Sequence, residues 1–111
     1  MDHDEKATAM FRIDRSNEVL LRDGDEIALR PKTWAVLCAL IDRPDQLCSK
    51  DLLLDEVWPD TFVTDTVLKV CIRELRQALD DDPKAPRFIK TIPRKGYRLI
   101  RSIPVVEPSA A

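Results

Sequence analysis

The sequence predicts an α+β fold, with short antiparallel strands at both ends of the chain and three helices between them. Residues 10–29 alternate apolar and polar side chains, which is the period of a half-buried strand. Residues 31–79 change to an apolar spacing of three and four, the period of a helix packed on a core. Residues 87–100 interleave apolar and basic residues around a Pro-Arg-Lys-Gly turn, which predicts a terminal hairpin.

The N-terminal segment is expected to form three short strands joined by two turns. Apolar side chains recur at every second position in three places: Phe11 and Ile13, Val19 and Leu21, and Ile27 and Leu29. Arg15-Ser16-Asn17 and Asp23-Gly24-Asp25 separate these runs and are rich in turn-forming residues. Gly24 can adopt the positive φ that such a turn often needs.

Prolines and a serine delimit the first two helices. Pro31 suits the first position of the first helix, because its missing N–H needs no partner there, and Pro44 stops that helix. Ser49 is a good N-cap for the second helix, and Pro59 ends it.

The third helix has the most regular apolar stripe. At 100° per residue, four of its side chains fall within about 60° of one another: Leu68, Ile72, Leu75 and Leu79. Thr64 or Asp65 is expected to cap its start. The acidic residues 80–82 are expected to form a loop, because carboxylates are unfavourable at a helix C-terminus.

The residue inventory argues against catalysis and against a bound metal. His3 is the only histidine and lies near the chain start, so a His-based triad or general base is close to excluded. The three cysteines show no metal-ligand spacing and are expected to be buried reduced thiols: Cys38, Cys48 and Cys71. Trp34 and Trp58 are expected in the core. No cofactor is expected, and the chain is not expected to be an enzyme.

Charge is divided unevenly along a chain whose net charge is −2. Residues 1–62 carry 8 Lys or Arg against 14 Asp or Glu, whereas residues 63–101 carry 10 against 5. Since binding follows local potential, the second half can meet a polyanion. No apolar run is long enough to span a bilayer, and the acidic start is unlike a signal peptide, so the expected compartment is the cytoplasm.

Composition also predicts the domain limits. Residues 1–9 are expected to be a flexible acidic tail, residues 10–103 one domain, and residues 104–111 a linker-like tail. The linker-like end suggests that the chain is a fragment of a larger multidomain regulator.

Three stretches together resemble one known family, the OmpR/PhoB-type winged helix-turn-helix domain of bacterial regulators. They are "LRPKTWAVLCALI", "CSKDLLLDEVWPDTFVTDTVLKVCIRELRQALDDD" and "PRFIKTIPRKGYRLI", and the resemblance extends from Phe11 to Arg101. It implies an N-terminal antiparallel sheet, a three-helix bundle and a C-terminal hairpin called the wing. It also implies sequence-specific binding of double-stranded DNA in transcriptional regulation.

The resemblance assigns the DNA-binding elements. Residues 64–79 would form the recognition helix in the major groove, and residues 87–101 the wing at the backbone or minor groove. The loop 58–63 aligns with a segment that can meet RNA polymerase in activators of the family; a plain connector is the alternative, which the sequence favours. Because one module buries little area, a dimer or tandem arrangement on two half-sites is expected.

Twelve residues are predicted to contact DNA from the outer face of the third helix and from the wing. They are Thr66, Lys69, Val70, Arg73, Glu74, Arg76, Gln77, Thr91, Arg94, Lys95, Tyr97 and Arg98. Tyr97 can instead pack on the core, and Arg98 can instead pair with an acid on the helix.

The chain departs from the family pattern at the predicted interface. Thr66 and Glu74 stand where members of the family often have arginine, and a carboxylate repels phosphate although it can accept from cytosine N4. In the wing the charge has moved one place along, to Arg94, and Arg30 replaces a small polar cap before the first helix. These departures leave a second possibility open, a protein-interaction module built on the same fold.

Overall fold

The computed structural model describes residues 9–106 and divides the chain into two compact units. Of the described residues, one unit combines 9–29 with 103–106, and the other is Arg30–Ser102. The predicted acidic tail lies outside the described residues except for Ala9, as do His3 and residues 107–111 of the predicted linker.

The first unit contains an antiparallel N-terminal sheet with the strand order β1-β2-β3. Its strands are β1 (Phe11–Asp14), β2 (Val19–Arg22) and β3 (Asp25–Ile27). The three strands and both turns are confirmed. The inward position of β2 is Leu20, which is opposite Ile13 and Ile27, whereas Leu21 is only half-buried.

Residues 104–106, expected to start a linker, contribute to this unit. The Ile13 N–H donates to the Pro104 carbonyl over 3.0 Å, and the Val106 N–H donates to the Ile13 carbonyl over 2.7 Å. Residues 104–106 therefore run parallel to β1 on the edge that β2 leaves open. The predicted boundary at residue 104 is wrong, because composition does not show which backbone groups find a partner.

The second unit contains three helices: α1 (Pro31–Ile41), α2 (Lys50–Val57) and α3 (Asp65–Leu79). Their apolar faces supply most of its buried side chains, among them Leu37, Leu40, Leu53, Leu68 and Leu75. Cys48 and Cys71 are buried as predicted, and Cys38 is half-buried. Ser49 is confirmed as the cap of α2, because its Oγ accepts from the Leu52 N–H over 3.0 Å.

Trp58 departs from the prediction that both tryptophans are core residues. Trp34 is buried, but Trp58 is half-buried at the C-cap of α2, and the Lys32 ammonium lies 5.9 Å from the centre of its ring. The indole is therefore placed at the surface beside a cation, a contact that aromatic rings favour.

The second unit also contains a three-stranded wing sheet, with the order β4-β6-β5. The hairpin strands β5 (Ile89–Ile92) and β6 (Gly96–Leu99) were expected, whereas β4 (Leu47–Ser49) was not. The short β4 directly precedes α2 and pairs antiparallel with β6, so that Cys48 lies opposite Tyr97. This pairing connects the wing to the start of the helix-turn-helix.

Candidate nucleic-acid interface

Helix α3 presents a polar outer face opposite its buried stripe. Thr66, Arg73 and Gln77 are exposed and lie within about 40° of one another around the helix axis. Lys69 is exposed toward one flank of this face, and Val70 is half-buried toward the other. We call these five residues the reading face; it combines two cations, an amide and two short side chains with methyl groups.

Two open clefts border the reading face. The cleft on the wing side brings together five of the predicted DNA contacts: Lys69, Arg73, Arg76, Gln77 and Tyr97. The cleft on the α1 side places Thr66 and Val70 next to Arg30 and Lys32. The two sides of α3 are therefore lined by different elements, the wing on one and the start of α1 on the other.

Arg76 links α3 to the wing. Its Nη2 donates to the Ile89 carbonyl and to the Thr91 Oγ1, each over 2.8 Å, while its buried Nε has no partner among residues 9–106. Arg76 and Thr91, both predicted to contact DNA, are thus bonded to each other. Their arrangement fixes the position of β5 relative to the helix.

Glu74 is bonded within the protein on the opposite side of α3. Its Oε1 accepts from the Thr33 hydroxyl over 2.6 Å and from the Arg30 Nε over 3.1 Å, and its Oε2 lies 2.7 Å from the Arg30 Nη2. The Thr33 hydrogen bond, followed by the bonds and charge of Arg30, lowers the pKa of Glu74. The carboxylate is therefore ionised and already has partners before any base approaches.

Sequence reasoning did not find this three-residue cluster. Arg30 was noted only as a poor cap, and it does make no side-chain capping bond to α1. Thr33 is fully buried, although the apolar stripe of α1 gave no hint of a partner across the bundle. The sequence did contain one signal. Two residues depart from the family pattern with opposite charges: Arg30, just before α1, and Glu74 on α3.

The turn of the wing carries its cations on a constrained backbone. Pro93, Arg94 and Lys95 connect the paired residues Ile92 and Gly96, and the Lys95 N–H donates to the Ile92 carbonyl over 3.0 Å. Arg94 has a φ of 68°, a left-handed conformation that costs an L-residue other than glycine about 1 kcal/mol. Both Arg94 and Lys95 are exposed.

Two backbone contacts hold this turn against the start of α2. The Lys50 N–H donates to the Lys95 carbonyl over 3.1 Å. A Cβ on Gly96 would lie 2.0 Å from the Cys48 carbonyl oxygen, so only glycine allows β4 to approach this closely.

The remaining wing residues are less accessible than predicted. Tyr97 is buried, and this burial raises the pKa of its hydroxyl. Of the two possibilities given for Tyr97, packing on the core therefore fits its ring. Arg98 is half-buried, and its buried Nε has no hydrogen-bond partner within the described chain.

Asp81 organises the entry to the wing, a role that the sequence did not reveal. It is buried and accepts from the backbone N–H groups of Arg87, Phe88 and Ile89 at 2.7, 3.2 and 2.9 Å. The helix ends at Leu79, and Asp80 adopts a left-handed cap conformation, so the predicted acidic loop is confirmed. Of the three successive aspartates 80–82, only Asp81 is buried, and the sequence of the run does not indicate which one it will be.

The connection between α2 and α3 exposes an aromatic side chain. Phe62 is fully exposed, with a relative accessibility of 102%. Acidic residues surround the cleft that it borders: Asp51, Asp55 and Asp65. A contact of loop 58–63 with RNA polymerase, which the resemblance implies for activators, stays a hypothesis beside the plain connector that the sequence favours.

None of the helices in residues 9–106 is long and apolar enough to cross a membrane. Within the same range, no group of three or more His, Cys, Asp or Glu side chains could hold a metal ion.

Residues 24–99 match the family described as "Transcriptional regulatory protein, C terminal". The chain belongs to this family. The match begins in the β2–β3 turn and ends with β6, so it includes all three helices and the whole wing sheet.

Members of the family and their structures show similar sequence and architecture. The chain is 41% identical over 91 residues to the transcriptional regulator HilA of Salmonella typhimurium, covering 82% of this chain and 16% of HilA. The DNA-binding domain of Escherichia coli CadC superposes with a TM-score of 0.69 at 30% identity, covering 84% of this chain and 92% of that domain. The DNA-binding domain of Klebsiella pneumoniae RstA, in complex with the RstA box, gives 0.72 at 27%, covering 84% and 97%.

Proposed function

We propose that the chain binds duplex DNA sequence-specifically in transcriptional regulation, with α3 in the major groove and the wing at the neighbouring backbone or minor groove. The observation that carries this proposal is that Arg76 bonds α3, which carries the reading face, to strand β5 of the wing. The turn that follows β5, residues 93–95, is the wing tip and bears the exposed cations Arg94 and Lys95. A helix fits the major groove, where Arg and Gln side chains can hydrogen-bond to base edges and methyl groups can contact thymine. The chain acts as a binding module, not as a catalyst.

Affinity and specificity come from different residues in this account. Arg94, Lys95, Lys69 and Arg73 supply charge that displaces counterions from the phosphates, which gives affinity for any sequence. Gln77, with Thr66 and Val70 beside it, supplies the contacts that distinguish one base pair from another. Because one such module buries little area, we expect two copies on tandem half-sites.

Selection of DNA from a random-sequence pool tests this function. The wild-type chain is expected to enrich one short motif, and Gln77→Ala is expected to relax the base preference at one position of that motif. Lys84→Ala removes an exposed charge outside the reading face and wing tip, and it should leave the motif unchanged. Retention of duplexes without any enriched motif would contradict sequence-specific binding.

The exposed Phe62 supports a second function, the docking of a protein partner. A fully exposed aromatic ring among three carboxylates suits a partner surface that is apolar and basic. In activators this partner would be RNA polymerase, and its docking is compatible with DNA binding by α3. If Phe62→Ala abolishes transcriptional output while DNA affinity is retained, the loop acts as the docking site; equal output from both proteins would contradict it.

A further inference from the structure

We propose that Arg30 is a DNA-backbone contact on the side of the groove away from the wing, and that Glu74 is the residue that positions it. The proposal rests on the DNA-binding function proposed above. It adds a binding residue outside α3 and the wing, and it gives Glu74 a role other than reading a base.

Charge is distributed unevenly around α3. Lys69 and Arg76 lie about 60° and 80° from Thr66 toward the wing, whereas Glu74 lies about 80° from it in the opposite direction. The phosphate backbones border a helix in the major groove on both sides. Without a partner, Glu74 would present a negative charge to one of these backbones.

Arg30 and Glu74 are paired through two contacts. The Nε and Nη2 of Arg30 contact the two carboxylate oxygens at 3.1 and 2.7 Å, a two-point contact that fixes the plane of the guanidinium. The Thr33 hydroxyl fixes the carboxylate in turn, over 2.6 Å. A positioned guanidinium loses less conformational entropy on binding than a free arginine side chain does.

The paired guanidinium of Arg30 remains accessible to a ligand. The Arg30 side chain is 62% exposed, and Glu74 uses only one edge of its guanidinium. The remaining N–H groups of the guanidinium, those on Nη1 among them, can donate to phosphate oxygens while the contact with Glu74 persists. Arg30 also lines the same cleft as Thr66 and Val70 of the reading face.

A phosphate contact and a purely structural ion pair give different salt dependence. Binding would be measured over a range of salt concentrations for the wild-type chain, Arg30→Ala and Arg30→Lys, on duplexes that the wild-type chain enriches from a random pool. Arg30→Ala is expected to weaken binding about five- to tenfold and to make the slope of log K against log salt shallower by about 0.9. Arg30→Lys should keep most of the slope.

Arg12→Ala is the matched control, because it removes one exposed positive charge from the N-terminal sheet. It is expected to leave the slope unchanged. Thermal unfolding of each variant shows whether an affinity loss reflects a folding defect. An Arg30→Ala variant with the wild-type slope would overturn the proposal, and a wild-type chain that binds no duplex would overturn the proposed function as well.

The positioning role of Glu74 has its own test, a double-mutant cycle. If Glu74 positions Arg30, the loss caused by Arg30→Ala is smaller in a Glu74→Ala background than in the wild type. If Glu74 only repels phosphate, Glu74→Ala strengthens binding and the two effects add. That second result would overturn the positioning role.

Discussion

The N-terminal sheet and the wing sheet have the same number of strands and the same antiparallel pairing, yet they are stabilised in different ways. The three strands of the N-terminal sheet follow one another along the chain, and its turns are held by bonds to the adjacent Asp14 and to Met10. Its distant contribution is the segment 104–106, which lies along the edge of β1, where its two backbone hydrogen bonds are to Ile13 and not to either turn. In the wing sheet the distant strand β4 is paired with β6, and a buried carboxylate orders the entry to β5. The comparison teaches that the turn expected to bind DNA depends on contacts made far away in sequence.

Two glycines give the largest expected contrast between the sheets. Gly96→Ala is expected to cost more than about 3 kcal/mol or to prevent folding, because the new Cβ would lie 2.0 Å from the Cys48 carbonyl. Gly24→Ala is expected to cost about 1 kcal/mol, because its φ is +90° but nothing lies within 4 Å of the new Cβ. Urea unfolding measures both losses. Equal losses would break the comparison.

Two aspartates give the next contrast. Asp81→Ala is expected to destabilise the chain by about 2–4 kcal/mol, since it removes the acceptor of three backbone N–H groups at a buried site. Asp14 also bonds two backbone N–H groups, those of Ser16 and Asn17, but in an exposed turn. Chemical denaturation should therefore show a much smaller loss for Asp14→Ala. A loss as large as that of Asp81→Ala would mean that burial does not distinguish the two turns.

Two residues with a left-handed backbone conformation, Arg94 and Glu18, distinguish effects on fold stability from effects on DNA affinity. Arg94→Gly and Glu18→Gly each relieve a positive φ, of 68° and 56°, so each is expected to stabilise the fold by up to about 1 kcal/mol. Arg94→Gly alone should weaken DNA binding, about tenfold, because it removes a wing-tip cation. Melting temperature and affinity would be measured for both variants. If Arg94→Gly retains the wild-type affinity, the strain at the wing tip serves some purpose other than DNA contact.

The smallest expected effect is a response of the β1–β2 turn to acid. The Asn17 side-chain hydrogen bond and two backbone N–H groups lower the pKa of Asp14, partly opposed by desolvation. A lowered folded-state pKa means that this stabilisation is present above the unfolded pKa and is lost as pH falls through the folded value. NMR shifts of the Ser16 and Asn17 amides should follow that titration, and in Asp14→Asn they should not. The wing turn, which has no carboxylate, should show no such change.

The N-terminal sheet and the helices could largely be predicted because their signals are local. The Asp23-Gly24 turn, the Ser49 cap and the apolar stripe of α3 each depend on residues within a few positions of one another. By contrast, β4, the Asp81 cluster and the Arg30–Thr33–Glu74 cluster join residues that are distant in sequence or indistinguishable within a run. The outward residues of α3 were predicted together because a helix has a fixed period, but their partners on α1 and the wing depend on packing.

The measurement that tests the central claim most directly is the salt dependence of duplex binding by the wild-type chain. If the reading face and the wing tip both meet the phosphates, the slope of log K against log salt should be about −3 or steeper, since each phosphate neutralised contributes about −0.9. Absence of binding even at about 50 mM salt, or an affinity that does not change with salt, would contradict the account.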